Sequence, residues 1–279
     1  MERRRFVSLA AAAAAVGATG CVGGDGNGNP EGGTPEAAEF GYSTWLPAAE
    51  YREVGYVDLA ATRELTTLSV DGGRRTIVGE MGVAYSDIDA LITTSGGSEF
   101  EAYSGSFDPS GTVGSVFPES ETSDHAGYTV ASGTVDGSEV EVAVSGSEAV
   151  LARGGASATD VIDAAVGDAP RQADEGDIIP GLSEYTDEPL AVIFDFGVGN
   201  TAYQFYERRD DGVAFVEVAI LPDEGAVQNT IDESYNYSDG RMEELNMSVR
   251  GEGRRLIIEN TQSADSVEDT FFGSGGLLP

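Results

Sequence analysis

The stretch Tyr128–Val144, YTVASGTVDGSEVEVAV, decides how the rest of the chain is read. Val140, Val142 and Val144 alternate with Glu139, Glu141 and Ala143, which gives a strand one buried face and one wet face. Asp136-Gly137 stands between this strand and Tyr128–Val135. Asp-Gly supplies the positive φ angles that a tight hairpin turn needs. The same pattern recurs on both sides. Asp71-Gly72-Gly73 separates Leu65–Val70 from Arg74–Val78, and Gly96-Gly97 separates Ala90–Thr94 from Glu99–Phe107. Asp211-Gly212 separates Tyr203–Arg209 from Val213–Leu221, and Gly251-Glu252-Gly253 separates Met242–Arg250 from Arg254–Asn260. The chain reads as an α+β protein with a mostly antiparallel sheet and few short helices.

The predicted helices are few and short. Ser157 caps a segment whose Ala158, Val161, Ile162, Ala165 and Val166 recur on one helical face, and Gly167 stops it. Asp223 starts another, with Ala226, Val227, Thr230 and Ile231 inward. Asp108-Pro109 provides a cap followed by proline in the first turn, against which Gly111 and Gly114 work. Ser157–Gly167 also aligns with Ser263–Gly273, sharing the cap Ser, an Ala, a Val, an Asp and the final Gly. In each half a hairpin precedes a Gly-x-Val helix segment (Gly111/Val113, Gly225/Val227), then a second hairpin and the capped helix. This order predicts two divergent β-β-α-β-β-α repeats, Phe40–Gly167 and Leu182–Gly273, joined by an acidic connection over Asp168–Gly181 and followed by a tail over residues 274–279. Such units are expected to pair their sheets or helices about a pseudo-twofold axis.

Ahead of the folded part, Arg3-Arg4-Arg5-Phe6-Val7-Ser8 precedes an alanine-rich run from Leu9 to Thr19 and then Gly20-Cys21. Basic residues, a short apolar core and a small-residue boundary make residues 1–20 an export signal, too short to span a bilayer. The paired Arg3 and Arg4 resemble a twin-arginine signal, which exports proteins already folded. Ala18-Thr19-Gly20-Cys21 resembles a lipoprotein processing site, and the resemblance implies cleavage before Cys21 and lipid on its sulfur. The pattern departs from the usual one at Glu2 and Ala18. Residues 21–39, rich in Gly, Asn, Pro and Glu, read as a disordered tether. Phe40, Tyr42, Trp45 and Leu46 open the folded part as a first strand or arm pinned into the core.

The chain has 279 residues and a formal charge of −34; removing three Arg and one Glu with the signal takes it to −36. All 15 basic residues are arginine. Dispersed acidity without lysine resembles haloarchaeal proteins. The whole organisation is similar to that of haloarchaeal twin-arginine-exported lipoproteins of unknown function, a likeness that brings no functional residues with it. So acidic a surface excludes nucleic acid as a partner, because phosphate binding needs a basic patch. It also makes runs such as Asp223-Glu224 and Glu243-Glu244 read as solvated face rather than cation sites.

The inventory of chemistry is thin. Cys21 is the only cysteine, so no intramolecular disulfide is available. His125 is the only histidine and reads as an exposed residue of a polar loop; no Gly-x-Ser-x-Gly accompanies it. Scarcity of His and Cys excludes an ordinary zinc site, and no segment has the oxygen-ligand spacing of a calcium loop, so no metal is expected. Gly197-Val198-Gly199-Asn200-Thr201-Ala202 superficially resembles a dinucleotide fingerprint, but Tyr203 and the residues after it read as strand rather than helix, so no cofactor is expected. A pair of carboxylates for hydrolysis carries no weight where acidic residues are this abundant. Asn236-Tyr-Ser238 and Asn246-Met-Ser248 fit the glycosylation pattern; Asn236 falls in an expected loop and is the preferred acceptor, whereas Asn246 falls in an expected strand.

With no catalytic residues assigned, the expectation is a non-enzymatic cell-surface protein. It is held to the extracytoplasmic face of the membrane through lipid on Cys21 and acts as a binding or interaction platform, an accessory subunit for an unidentified membrane or surface protein. The alternative is an extracytoplasmic solute- or polymer-binding lipoprotein, with its site between the halves. Charge yields the first prediction. At about 1 M salt the Debye length is roughly 3 Å, which screens exposed carboxylates from one another, whereas dilute buffer leaves their repulsion in force. Circular dichroism and melting curves should show the chain loosened in dilute buffer and folded in molar salt; curves indifferent to salt would refute this.

Overall fold

The computed structural model describes residues 41–65, 81–97, 99–175, 178–182, 184–186, 189–196, 202–209, 212–237 and 246–262. The export signal, the tether, the hairpin expected at Asp71-Gly72-Gly73, the helix expected at Ser263–Gly273 and the tail lie outside these residues.

Among the described residues twelve strands form one sheet: β1 Tyr51–Asp58, β2 Ile88–Gly96, β3 Glu99–Gly105, β4 Thr122–His125, β5 Tyr128–Val135, β6 Ser138–Val144, β7 Glu148–Arg153, β8 Ala191–Asp195, β9 Ala202–Arg209, β10 Gly212–Ile220, β11 Met247–Glu252 and β12 Arg255–Gln262. Their spatial order is β11-β12-β10-β9-β8-β1-β2-β3-β7-β6-β5-β4, and every neighbouring pair is antiparallel. The fold is therefore α+β with a mainly antiparallel sheet. The β5–β6 hairpin turns where the alternation breaks: Val135 faces Ser138, with Asp136 at φ 50° and Gly137 at φ 85°.

The last hairpin turns two residues later than its sequence suggests. Glu252 pairs with Arg255, so the turn is Gly253-Arg254, and Gly251 lies within β11. A Cβ at Gly251 would stand 2.6 Å from Val227 Cγ1. Glycine is needed there so that a helix can approach the sheet, not for the turn. In the first half, the chain carries four strands, β4 to β7, where the repeat reading expects two. Strand β4 is a short polar edge, and β7 is buried on both faces at Ala149, Val150, Leu151 and Ala152. Neither has the half-wet alternation by which a strand such as β6 announces itself.

Helices α1 Leu59–Leu65, α2 Pro109–Val116, α3 Ala158–Val166, α4 Gln172–Glu175, α5 Ile178–Leu182 and α6 Glu224–Tyr237 pack on the two faces. Helix α3 has its capping in full. Ser157 Oγ accepts from Thr159 N–H at 3.2 Å, and Glu141 Oε2 on the sheet accepts from Ala158 N–H at 2.6 Å. At the other end Gly167 adopts φ 87°, Asp168 N–H donates to Asp163 O at 2.7 Å, and Arg171 Nε donates to Ala164 O at 2.8 Å. Helix α6 starts with Asp223 Oδ1 accepting from Ala226 N–H at 2.8 Å, and Val227 is buried against Val249 and Leu256. Helix α2 forms despite its glycines, with Thr112 and Val113 buried. Alternation divides the sheet into a Phe194 face and a Leu151 face. The first holds Val54, Ile92, Ala102, Val150, Phe194, Tyr203 and Val216 beneath α3, α5 and the Trp45–Leu46 arm. The second holds Leu91, Tyr103, Val142, Leu151 and Tyr206 with Leu59, Met81, Val113 and Phe117.

Gly133 on β5 offers a sharp test of this packing. A Cβ there would lie 2.4 Å from Phe117 Cε1. Gly133→Ala should destabilise the protein by about 1–3 kcal/mol through overpacking, and Phe117→Ala in the same chain should recover part of that loss. Denaturant melts in molar salt measure both; additive effects would place the two side chains out of contact.

Candidate functional site

The join between β1 and β8 is the place where a site between the two halves of the chain would have to form. Val54 pairs with Phe194, Gly55 with Ile193, Tyr56 with Val192 and Val57 with Ala191. The ladder continues past both ends, with Phe196 N–H donating to Arg52 O at 2.9 Å and Asp58 N–H to Leu190 O at 2.8 Å. The halves thus meet through backbone hydrogen bonds, not across a gap.

Aromatic rings fill the Phe194 face of this seam. Tyr42 lies 5.2 Å from Tyr56 and 5.3 Å from Phe194, Tyr51 lies 6.3 Å from Phe100, and Phe194 lies 6.3 Å from Phe196, all measured between ring centroids. Two of these contacts, Tyr42–Tyr56 and Tyr51–Phe100, are edge-on, a geometry in which aromatic quadrupoles attract, and the other two are tilted. The arm over them is a set of turns rather than a strand. Trp45 and Leu46 are fully buried, and Tyr51 Oη donates to Pro47 O at 2.8 Å. Ala48 N–H donates to Pro170 O at 2.9 Å, and Gln172 N–H to Leu46 O at 2.9 Å, so the connection between the halves holds the arm down. Tyr42, Tyr56 and Phe196 are half-buried and bring the cluster to the surface.

On the Leu151 face the same three strands leave a shallow depression lined by Gly55, Val57, Leu91, Thr93, Ala191 and Ile193, with a volume of about 10 Å³. That is room for one water, whereas small-molecule sites occupy roughly 300–1,000 Å³. Thr93 occupies the space that Gly55 leaves open, its Oγ1 standing 2.8 Å from where a Cβ would be.

Further along the Phe194 face, Tyr185 stacks edge-on against Tyr203 at 5.8 Å, and the Arg255 guanidinium lies 5.7 Å from the Tyr185 ring while pairing with Glu184. Arg250 and Arg209 share Glu259 at the end of the same face, at 3.3 and 3.6 Å. These exposed pairs order the surface but add little stability.

The residues singled out in the sequence are dispersed. Arg3, Arg4 and Cys21 lie outside the described residues. His125 is not in an exposed loop; it ends strand β4, half-buried, with Nε2 at 2.7 Å from Asp163 Oδ1 of α3. Pairing with Tyr128 of β5 carries it into the sheet and over the helix, which a polar local sequence does not reveal. Among the described residues no hydroxyl or thiol is hydrogen-bonded to its ring, and no group of three or more His, Cys, Asp or Glu is placed to hold a metal. Residues 197–201 lie outside the described residues; Ala202 begins β9, where a dinucleotide fingerprint would require a helix. Position 236 belongs to the last turn of α6 instead of a loop, and Asn246 stands in a turn before β11 instead of within a strand. The aromatic surface at the seam is not evident as a unit in the sequence, where only the alternation of Val54 with Tyr56 points to it.

No protein-family model matches the chain, and no curated protein sequence does. Its likeness is to a fold. Crystal form III of TP0453 aligns with a TM-score of 0.52 at 11% identity, covering 82% of this chain and 96% of that one. Crystal form I aligns at a TM-score of 0.49 and 14% identity over the same shares. Among the described residues no helix is long and apolar enough to cross a membrane.

Burial also sets how the seam responds to alkali. It raises the phenol of Tyr206 from 10.0 to about 12, and those of Tyr51 and Tyr203 further still. The folded state therefore holds these protons more tightly than the unfolded chain. Their contribution to stability is complete below pH 10 and lost as pH rises through the folded-state values. Ultraviolet titration of tyrosinate should show a fraction of phenols ionising only with unfolding above pH 12; full ionisation near pH 10 with the fold intact would contradict the burial of these rings.

Proposed function

We propose that this protein is a non-enzymatic lipoprotein, anchored at the extracytoplasmic face of the membrane through Cys21, whose twelve-stranded sheet serves as an interaction platform for a membrane or surface protein. The observation that carries the platform reading is the seam. It is closed by a continuous ladder, packed with aromatic rings on one face and reduced to a water-sized depression on the other. A site for solute capture would need a cleft there. The half-buried Tyr42, Tyr56 and Phe196 offer the kind of aromatic patch on which protein partners dock.

The sheet order supports reading the halves as divergent copies. Outward from the seam run β8, β9, β10, β12 and β11 on one side, and β1, β2, β3, β7 and β6 on the other. Helix α6 follows the third strand of one series and α2 the third strand of the other. In each, the last strand of the returning hairpin inserts next to the third. Strands β4 and β5 are then an addition to the first copy. On this reading the pseudo-twofold axis would pass through the seam, and the antiparallel β1–β8 pairing is consistent with that.

Two experiments bear on these readings. Crosslinking on intact cells in native salt, followed by purification and mass spectrometry, should return one recurrent surface or membrane protein, and that yield should drop when Tyr56→Ala and Phe196→Ala are combined. A chain recovered alone would overturn the platform. Separately, the wild-type chain should fractionate with membranes after salt and carbonate washing, and Cys21→Ser should abolish this. Membrane retention of the Cys21→Ser chain would refute the lipid anchor.

A further inference from the structure

We infer that Asn246, and not Asn236, is the N-glycosylated residue of the folded protein, and that its glycan shields the open edge of the sheet at β11; this rests on the export reading. A twin-arginine route delivers a chain that is already folded, so a glycosyltransferase on the outer face meets the finished structure and not an extended polypeptide. The acceptor must then be reachable in the fold. Position 236 is not offered as a loop, because it lies in the last turn of α6, where the backbone up to Tyr237 is committed to helix.

Asn246 meets the requirement. The residue is exposed, sits in the turn that leads into β11 and has a left-handed φ of 51°, a conformation that asparagine tolerates better than most residues. Its carbonyl accepts from Thr261 N–H at 3.3 Å, which anchors the turn to β12. Ser248, the third residue of the sequon, is also exposed, on the outermost strand of this side of the sheet. Asparagine and serine are thus presented together on an edge whose outer side, among the described residues, pairs with no other strand.

The reaction joins the Asn246 side-chain nitrogen to the anomeric carbon of a glycan carried on a polyprenyl phosphate. The anomeric C–O bond breaks, the lipid phosphate leaves with its electron pair, and the amide nitrogen gives up one proton. The consequence lies in the strand itself. An uncovered edge presents unpaired N–H and C=O groups to other chains, and in molar salt the net negative charge no longer keeps copies apart at distance. Strand β11 brings half-buried Met247 and buried Val249 to that edge. A bulky hydrated group at its first turn keeps a second edge from aligning.

The full-length protein is purified in molar salt from the cells that produce it, after fractionation into cytoplasmic and membrane pools, and its peptides are mapped by mass spectrometry. The expected result is a membrane pool in which the peptide containing Asn246 carries a glycan, lost in both Asn246→Gln and Ser248→Ala, retained in Ser248→Thr and retained in Asn236→Gln. Light scattering of Ser248→Ala should show at least a two-fold rise in apparent mass with concentration, relative to wild type. An exported chain with bare Asn246, or with glycan at Asn236 alone, overturns the assignment. A chain found only in the cytoplasm overturns the export reading with it. A glycosylated wild type whose Ser248→Ala variant stays monodisperse overturns the shielding role.

Discussion

Everything in this fold depends on the hydrogen-bonded register between β1 and β8. Without it the chain has two sheets, each with an inner edge of unpaired backbone groups, and burying such groups unsatisfied is among the costliest things a protein can do. With it, Val54 and Phe194 come side by side on one face and Val57 and Ala191 on the other, so both hydrophobic layers run without interruption through the middle of the molecule. The arm at Trp45–Leu46, clasped by Pro170 and Gln172, buries part of the aromatic side of the join. The register and the cover are mutually dependent: neither has a partner surface unless the other forms.

That dependence explains the character of the surface at the seam. A site for a small ligand needs concavity, and concavity between halves needs a hinge or gap. Pairing strands removes both. What remains available at this position is a patch of aromatic edges, suited to contact with another large surface rather than to engulfing a molecule. The acidic exterior then acts as a background against which such a patch is distinctive, since nearly everything around it is strongly hydrated.

The parts of the fold that can be read in the sequence are those where a residue's neighbours in the chain decide its state. The Asp136-Gly137 turn and the Ser157 and Gly167 caps all use local chemistry, and the structure places each where the residues indicate. Strand β1 is different. Arg52, Glu53 and Asp58 interrupt its alternation, and a bulge between Tyr51 and Glu53 shifts its register, so its role as a central strand is visible only from its partners. His125 and Gly251 mislead for the same reason. One acquires a helix as neighbour and the other must make room for one, and both relations span many residues of chain. The proposed anchor at Cys21 and its signal are readings of local sequence alone and lie outside the described residues.

The strand order also has a kinetic side. Strand β1 lies near the start of the folded part, yet its second partner, β8, is made only after the whole first half has emerged. Closing so long a loop is slow, because chain entropy is spent before the non-local contacts return anything. Until then the first half waits with β1 as an unfinished edge, a state prone to pairing with copies of itself. A cell that dispatched such a chain across a membrane unfolded would meet that hazard outside, beyond the reach of its cytoplasmic chaperones; export after folding, as proposed, would confine the vulnerable interval to the compartment equipped to manage it.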